Sequence, residues 1–291
     1  MTVVDAHLHL WDLTTGEYGW NTSALGAAHA DFGVPEARVA LAASGAARAV
    51  LVQAADTVDD SERLLDIVRQ ERWAAGVVAW APFDDAAAAA ALVDRWSADD
   101  GVVGLRALVH DDPRDDLLAG EDARRTAARA AVGGLVLDIP DAWPRLWPAL
   151  LDLVDAVPDL DVVLDHLGKP GPRGDGDEDW FEAWRRDLAD LARRPSVVVK
   201  ASGLGAARRA VAALGHAPDV LVDVAVEAFG ADRVMVGSDW PMVLAEPDVD
   251  AAADAPGGAR PLADGLPAGS SGVELDALLG GTATRVYGLA P

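Results

Sequence analysis

Eight short apolar runs, each followed by a stretch with helical character, constrain the fold of this chain more than any other feature. Most of the runs are rich in Val and Leu, which is typical of strands buried on both faces. They are Val3–Ala6, Ala49–Gln53, Gly76–Trp80, Val103–Leu108, Leu135–Asp138, Val162–Asp165, Val197–Lys200 and Val234–Gly237. This alternation predicts an α/β fold, specifically one single-domain (β/α)8 or TIM barrel over residues 1–291. An open doubly wound sheet is the alternative, but no glycine-rich phosphate turn follows the first run.

The helical stretches and the long connections complete this prediction. The predicted helices are Pro35–Ser44, Val58–Glu71, Asp84–Trp96, Asp122–Ala131, Ala142–Val157, Trp180–Arg194, Pro218–Phe229 and Glu274–Tyr287. Four connections that follow strands are long, namely Leu10–Gly33, Asp111–Glu121, Gly168–Asp179 and Val243–Gly272. Barrel active sites are built from the loops on this carboxyl side of the strands, so the long connections predict a cleft or lid there.

Composition and charge exclude several classes of function. The formal net charge is -24, which repels phosphate backbones and argues against nucleic-acid binding. The chain has no Cys, so disulfides, Fe–S clusters and thiol catalysis are excluded, and any metal must rest on His and carboxylate ligands. No apolar stretch has the length to span a bilayer, and no signal peptide follows Met1. We therefore expect a cytoplasmic protein with no membrane partner.

Four residues at predicted strand ends form a candidate catalytic cluster. His7 and His9 are two residues apart at the end of the first run, and residues at i and i+2 of a strand face the same side. His166 follows the sixth run and Asp239 follows the eighth. The first and last strands become neighbours in a closed barrel, so we expect these side chains to meet at its mouth.

Other polar and aromatic side chains near the same rim are candidates for binding a substrate. They are Tyr18, Gln53, Trp80, Arg106, His110, Lys169 and Trp240. An Arg beside a buried strand end is typical of carboxylate or carbonyl recognition. Tyr18 and Trp20 could either form a wall for the substrate or pin the first connection. Lys169 and Lys200, the only lysines, could be structural at the rim. Asp138 is expected to cap the turn Ile139–Ala142.

The motifs at these positions resemble the amidohydrolase superfamily, in particular its amidohydrolase-2 branch of lactonases for sugar lactones and 2-pyrone-4,6-dicarboxylate-like lactones. The matching strings, in chain order, are DAHLHLWD, YGW, AVLVQAADT, GLRALVHDDP, LDHLGKP, VKASGL, AFGADRVMVGSDWPM and GGTATRVYGL. The resemblance implies a barrel whose site is formed by His7, His9, His166 and Asp239, with Arg106 binding the substrate. The bridging Lys or Glu of strand four and the His of strand five, which binuclear members carry, are absent.

The resemblance implies a hydrolase that opens a lactone, with Asp239 taking a proton from water and the histidines stabilising the developing oxyanion. At most one divalent cation, Zn or Mn, is expected on His7, His9 and Asp239, and a metal-independent enzyme is the alternative. A metal-dependent decarboxylase and a non-catalytic small-molecule-binding barrel are the other hypotheses. The expected partner is a small-molecule lactone, and homo-oligomerisation is left open.

Overall fold

Eight parallel strands form the centre of the protein. The computed structural model describes residues 2–174, 176–245 and 259–290. The strands are β1 Val4–Leu8, β2 Arg48–Val52, β3 Ala74–Trp80, β4 Val102–Arg106, β5 Val136–Ile139, β6 Val162–Leu164, β7 Val197–Ala201 and β8 Val234–Val236. Each strand pairs in parallel with the next one in the chain, so the sheet order is β1 to β8. The eight predicted strands are therefore confirmed, with small shifts at their ends.

The first and last strands meet just beyond their carboxyl ends. The amide of His9 donates to the carbonyl oxygen of Trp240 at 2.8 Å, and the amide of Asp239 donates to that of His7 at 2.9 Å. Leu8 and Trp240 form a parallel bridge. The sheet is thus a nearly closed barrel, and the predicted TIM-barrel fold is confirmed.

Helices follow the strands and pack around the barrel. They are α1 Val34–Ser44, α2 Val58–Gln70, α3 Ala86–Ser97, α4 Glu121–Val132, α5 Trp147–Ala156, α6 Trp180–Leu191, α7 Gly205–Ala213, α8 Val220–Phe229, α9 Gly272–Asp276 and α10 Thr282–Val286. The sequence prediction omitted α7 and began the fifth helix too early, at Ala142. Pro144 lies in that early part, and the residue before a proline avoids the helical conformation. The predicted last helix is divided, because a π-helical turn, Ala277–Gly281, separates α9 from α10.

Valine side chains fill the interior of the barrel. The inward-facing residues include Val50, Val52, Val78, Val103, Val136, Val163, Val198 and Met235, all buried. Val286, Tyr287 and Leu289 from the end of the chain belong to the same cluster. The C-terminal segment therefore joins the barrel interior.

Residues 246–258 of the predicted connection Val243–Gly272 lie outside the described residues, and so does Asp175 of the connection Gly168–Asp179. No helix in the described ranges combines the length and the apolar character that a membrane span needs.

Candidate active site

The two histidines of β1 lie side by side at the mouth of the barrel. The Nε2 atoms of His7 and His9 are 3.1 Å apart. The other ring nitrogen of His9, Nδ1, lies 2.8 Å from the carbonyl oxygen of Val52. A carbonyl oxygen only accepts hydrogen bonds, so Nδ1 carries the proton and Nε2 of His9 keeps its lone pair.

His166 and Asp239 reach the same point from β6 and β8. Both residues adopt left-handed backbone conformations, with φ of 56°. The Oδ1 atom of Asp239 lies 3.5 Å from Nε2 of His9, 3.7 Å from that of His7 and 4.0 Å from that of His166. Gly203 has a φ of +56°, and a Cβ there would lie 2.4 Å from Asp239 Oδ2, so glycine is required at this position. The four predicted side chains converge.

This cluster fits a divalent cation. Asp239 Oδ1 is buried and has no hydrogen-bond partner among the described residues. Ligand atoms of His7, His166 and Asp239 lie within 4.8 Å of one another, and His9 Nε2 adjoins them. Tetrahedral nitrogen ligands of Zn²⁺ are about 3.3 Å apart, as follows from the usual bond lengths. Imidazole and carboxylate donors suit zinc and manganese.

The protonation of the cluster follows from burial and charge. Burial lowers the pKa of His7 well below its ordinary value, so its ring is neutral. Burial alone would raise the pKa of Asp239, but the facing rings of His166, His9 and His7 hold it well below its ordinary value. Asp239 is therefore ionised at neutral pH and able to bind a cation or accept a proton.

A buried charge network lies beneath His7, and the sequence analysis did not predict it. Lys200 Nζ lies 2.5 Å from Asp138 Oδ2 and 3.1 Å from Asp165 Oδ1, with all three side chains fully buried. The Tyr287 hydroxyl donates to the Asp138 carboxylate at 2.8 Å. The expectation that Asp138 caps a turn is therefore wrong, because its side chain points into the barrel.

Arg106 connects this network to the mouth of the barrel. Its Nη1 atom is 3.2 Å from Asp165 Oδ2 and 3.0 Å from His7 Nε2. Asp165 also faces Nδ1 of His7 at 3.2 Å. Burial would raise the pKa of Asp165, yet Lys200, His7 and Arg106 hold it well below its ordinary value. Asp165 thus stays ionised inside the barrel.

A cavity of about 160 Å³ opens above the cluster. Its lining residues are His9, Trp11, Trp20, Ala54, Arg106, Leu108, His110, Asp111, Asp141, His166, Lys169, Asp239 and Met242. Arg106, His110 and Lys169 were predicted near a substrate, and Trp20 was left open as a possible wall. The remaining predicted substrate-binding residues, Tyr18, Gln53, Trp80 and Trp240, are absent from this lining.

These other residues have structural contacts. The Tyr18 hydroxyl donates to Asp60 at 2.6 Å, and the Gln53 amide donates to Asp56 at 3.3 Å. Trp80 pairs through its backbone in β3, and Trp240 packs edge-on against Phe32 with ring centroids 5.1 Å apart. Their role in substrate binding stays a prediction.

Backbone strain is concentrated around the cavity. The non-glycine residues with positive φ in the described ranges are Asp141, His166, Leu167, Lys169 and Asp239. All of them except Leu167 line the cavity. Such conformations are costly for residues with a side chain and cluster at functional sites. The strained residues therefore lie around the same cavity as the charged side chains and the converging histidines.

Comparison with known proteins decides the family. A family model described as amidohydrolase, Amidohydro_2, matches residues 4–289. The chain belongs to this amidohydrolase family. The resemblance stated from its motifs is therefore confirmed.

Curated relatives of this amidohydrolase extend over most of its length. An L-fucono-1,5-lactonase from Burkholderia ambifaria is 32% identical over 244 residues, covering 82% of this chain and 80% of the relative. An L-fucono-1,5-lactonase from Burkholderia multivorans is 31% identical over 297 residues, covering 98% and 96%.

Solved structures of an amidohydrolase from Burkholderia multivorans are similar over the whole of both chains. The form with bound HEPES is 29% identical with a TM-score of 0.84. The form with bound zinc is 26% identical with a TM-score of 0.82. A neighbour with this fold thus binds a divalent metal.

Proposed function

We propose that this amidohydrolase is a lactonase that opens the ester bond of a sugar lactone. The observation that carries the proposal is the convergence of His7, His9, His166 and Asp239 beneath a cavity. Lactone hydrolysis needs a base for water and positive groups for the oxyanion, and this cluster can supply both. The relatives named L-fucono-1,5-lactonase support the same class of reaction.

The charges around the cavity favour an uncharged lactone over a dicarboxylate. Arg106 faces Asp165 at 3.2 Å, and Lys169 faces Asp141 at 2.7 Å. Burial lowers the pKa of His110, which makes it neutral at physiological pH. Each permanent cation of the lining thus already has an aspartate partner. A neutral, hydroxyl-rich ring matches this balance better than two carboxylates do.

We propose that one divalent cation, zinc or manganese, occupies the cluster. His7, His9 and Asp239 would hold it, and His166 offers a fourth donor. When bound, such an ion polarises a carbonyl group and lowers the pKa of water.

The protein's own residues supply the remaining chemistry. Asp239 is ionised and accepts the proton of the attacking water, whose oxygen forms a bond to the lactone carbonyl carbon. The Arg106 guanidinium donates to the carbonyl oxygen as that oxygen gains charge. The ring C–O bond then breaks, and Asp239 returns its proton to the departing alkoxide. The product is an open-chain hydroxy acid, with all atoms of water accounted for.

A panel of lactones tests this proposal. Purified enzyme is mixed with L-fucono-1,5-lactone, other sugar lactones and a dicarboxylate lactone, and acid release is followed with a pH indicator, with and without chelator. We expect the highest kcat/KM for a neutral sugar lactone. Carbon dioxide release from an aromatic carboxylate, without lactone hydrolysis, would instead support a decarboxylase. Binding of a lactone without turnover would support a non-catalytic barrel.

A further inference from the structure

Asp141 and Lys169 form an ion pair in the lining of the cavity. They follow β5 and β6 respectively, and Lys169 Nζ donates to Asp141 Oδ2 at 2.7 Å. The Asp141 side chain is mostly buried, whereas 57% of the Lys169 side chain is exposed. The second oxygen, Asp141 Oδ1, is buried and has no hydrogen-bond partner in the described part of the chain. The carboxylate therefore has unused capacity to accept hydrogen bonds.

The backbone that positions this pair is strained at both residues. Asp141 has a φ of 49° and Lys169 a φ of 58°, and both conformations are unfavourable for residues with a side chain. A half-exposed ion pair returns little stability, so the pair alone does not offset the strain of two such residues. Backbone strain that no local interaction compensates is characteristic of sites where side chains must face a ligand.

The pair offers complementary hydrogen-bonding groups in one place. Burial would raise the pKa of Asp141, but Lys169, His166 and His110 hold it below its ordinary value. Burial would lower the pKa of Lys169, but Asp141 raises it above its ordinary value. The two side chains are therefore both charged over the neutral range. A carboxylate only accepts hydrogen bonds and an ammonium only donates them.

We propose that Asp141 and Lys169 bind two neighbouring hydroxyl groups of the sugar lactone and thereby determine specificity for a hydroxylated ring. One hydroxyl donates to the Asp141 carboxylate, and the adjacent hydroxyl accepts from the Lys169 ammonium. This inference rests on the proposed lactonase function and adds two specificity-determining residues to it. Neither side chain takes part in a bond that forms or breaks in the proposed reaction, so we expect their loss to alter the selection of substrate more than the chemical step.

Trp11 and Trp20 line the same cavity and match the rest of such a substrate. Their rings are 5.4 Å apart in an edge-to-face arrangement. Aromatic rings provide an apolar surface for the C–H face of a sugar. Polar and apolar parts of the lining thus correspond to the hydroxyl groups and carbon skeleton of one ring.

A comparison of two substrates tests the pair. L-fucono-1,5-lactone carries ring hydroxyl groups, and δ-valerolactone has the same ring size without them. The variants are Asp141→Asn, which keeps a residue that tolerates positive φ, and Lys169→Met. We expect kcat/KM for the hydroxylated lactone to fall about 10–100-fold, as expected for losing a hydrogen bond to a charged group, and that for δ-valerolactone to change less than about threefold.

A matched control uses another ion pair of the connection after β6. Arg173 and Asp177 are 2.7 Å apart and neither lines the cavity, so Asp177→Asn should leave both substrates unaffected. Equal losses on both substrates in the Asp141 and Lys169 variants, or no loss on either, would overturn this inference while leaving lactonase activity established. Failure of the wild-type enzyme to hydrolyse either lactone would contradict the proposed function itself.

Discussion

The Nδ1 atom of His7 and the Oδ1 atom of Asp165 lie 3.2 Å apart, and both side chains are completely buried. Burial keeps His7 neutral, and its Nδ1 atom faces both this carboxylate and, at 3.1 Å, the Lys200 ammonium. Arg106 Nη1 can only donate to Nε2, so the single ring proton lies on Nδ1, against Asp165. The lone pair of Nε2 then faces Arg106 Nη1 at 3.0 Å, and Asp239 Oδ1 lies 3.7 Å from the same nitrogen. Carboxylates behind a histidine fix its tautomer in the same way at many metal sites.

We expect Asp165→Asn to weaken zinc binding about 10–100-fold, because an amide fixes the His7 tautomer less firmly and lacks the negative charge. Competition with a chromophoric chelator measures the affinity. Asp155→Asn is the control, since Asp155 is 59% exposed and pairs with Arg194 on the surface. Unchanged zinc affinity in a folded Asp165→Asn protein would show that this carboxylate does not position His7.

Asp165 also shows what the sequence could not predict. It is adjacent to His166, and adjacent residues of a regular strand point to opposite faces. Strand β6 ends at Leu164, however, and His166 adopts a φ of 56°. Because of this turn, both side chains approach His7. No local sequence pattern predicts the turn.

The convergence of the three histidines and Asp239 was predictable because it depends on strand ends alone. His7, His9, His166 and Asp239 each end or follow an apolar run, and a closed barrel brings such positions to one rim. Contacts between elements that are distant in the chain could not be predicted in this way. The Tyr287 hydroxyl donates to Asp138 from the far end of the chain, and no pattern near Asp138 predicts this contact. The local sequence instead suggested that Asp138 caps a turn.

Asp239→Asn separates a catalytic role from a structural one. Asn keeps the size of the side chain but cannot accept a proton at neutral pH, so we expect kcat to fall about 10²–10⁴-fold with the fold intact. Asp111→Asn is the control, because Asp111 also lines the cavity but its side chain is 59% exposed. We expect that control to stay within about threefold of wild type. Near-normal lactone hydrolysis by a folded Asp239→Asn enzyme would exclude Asp239 as the base.

We expect one equivalent of zinc per chain after dialysis against excess metal. A second group of possible ligands exists in the described residues, formed by His7, Asp138 and Asp165. The Lys200 ammonium lies among them, 2.5 Å from Asp138 and 3.1 Å from Asp165. Its positive charge disfavours a second cation there. Elemental analysis that returns two equivalents would contradict this, and Asp239→Asn should reduce the bound zinc below one.

Lys200→Met tests how far the buried network stabilises the barrel. Methionine fills a similar volume, but it leaves the carboxylates of Asp138 and Asp165 without their ammonium partner. Removing one member of a buried ion pair costs about 3–5 kcal/mol, so we expect a loss of that size in the free energy of unfolding. Lys169→Met is a matched control with the other lysine of the chain, whose side chain is 57% exposed, and should cost less than about 1 kcal/mol.

Two further measurements separate charge from packing in Lys200→Met. Adding Asp138→Asn removes one unpaired charge and should recover part of the stability, whereas a packing defect would remain.

The pH dependence of the stability of Lys200→Met has a definite sign as well. In wild type, Lys200 helps to hold the pKa of Asp165 well below the ordinary value of 3.8, so this ionised carboxyl stabilises the fold above that pH. Without Lys200 the stabilisation is lost, and we expect the deficit of Lys200→Met to be larger at neutral pH than in mild acid, where the carboxyls take up protons. Chemical unfolding at two pH values measures this difference, and a deficit independent of both pH and the second substitution would assign the effect of Lys200 to packing.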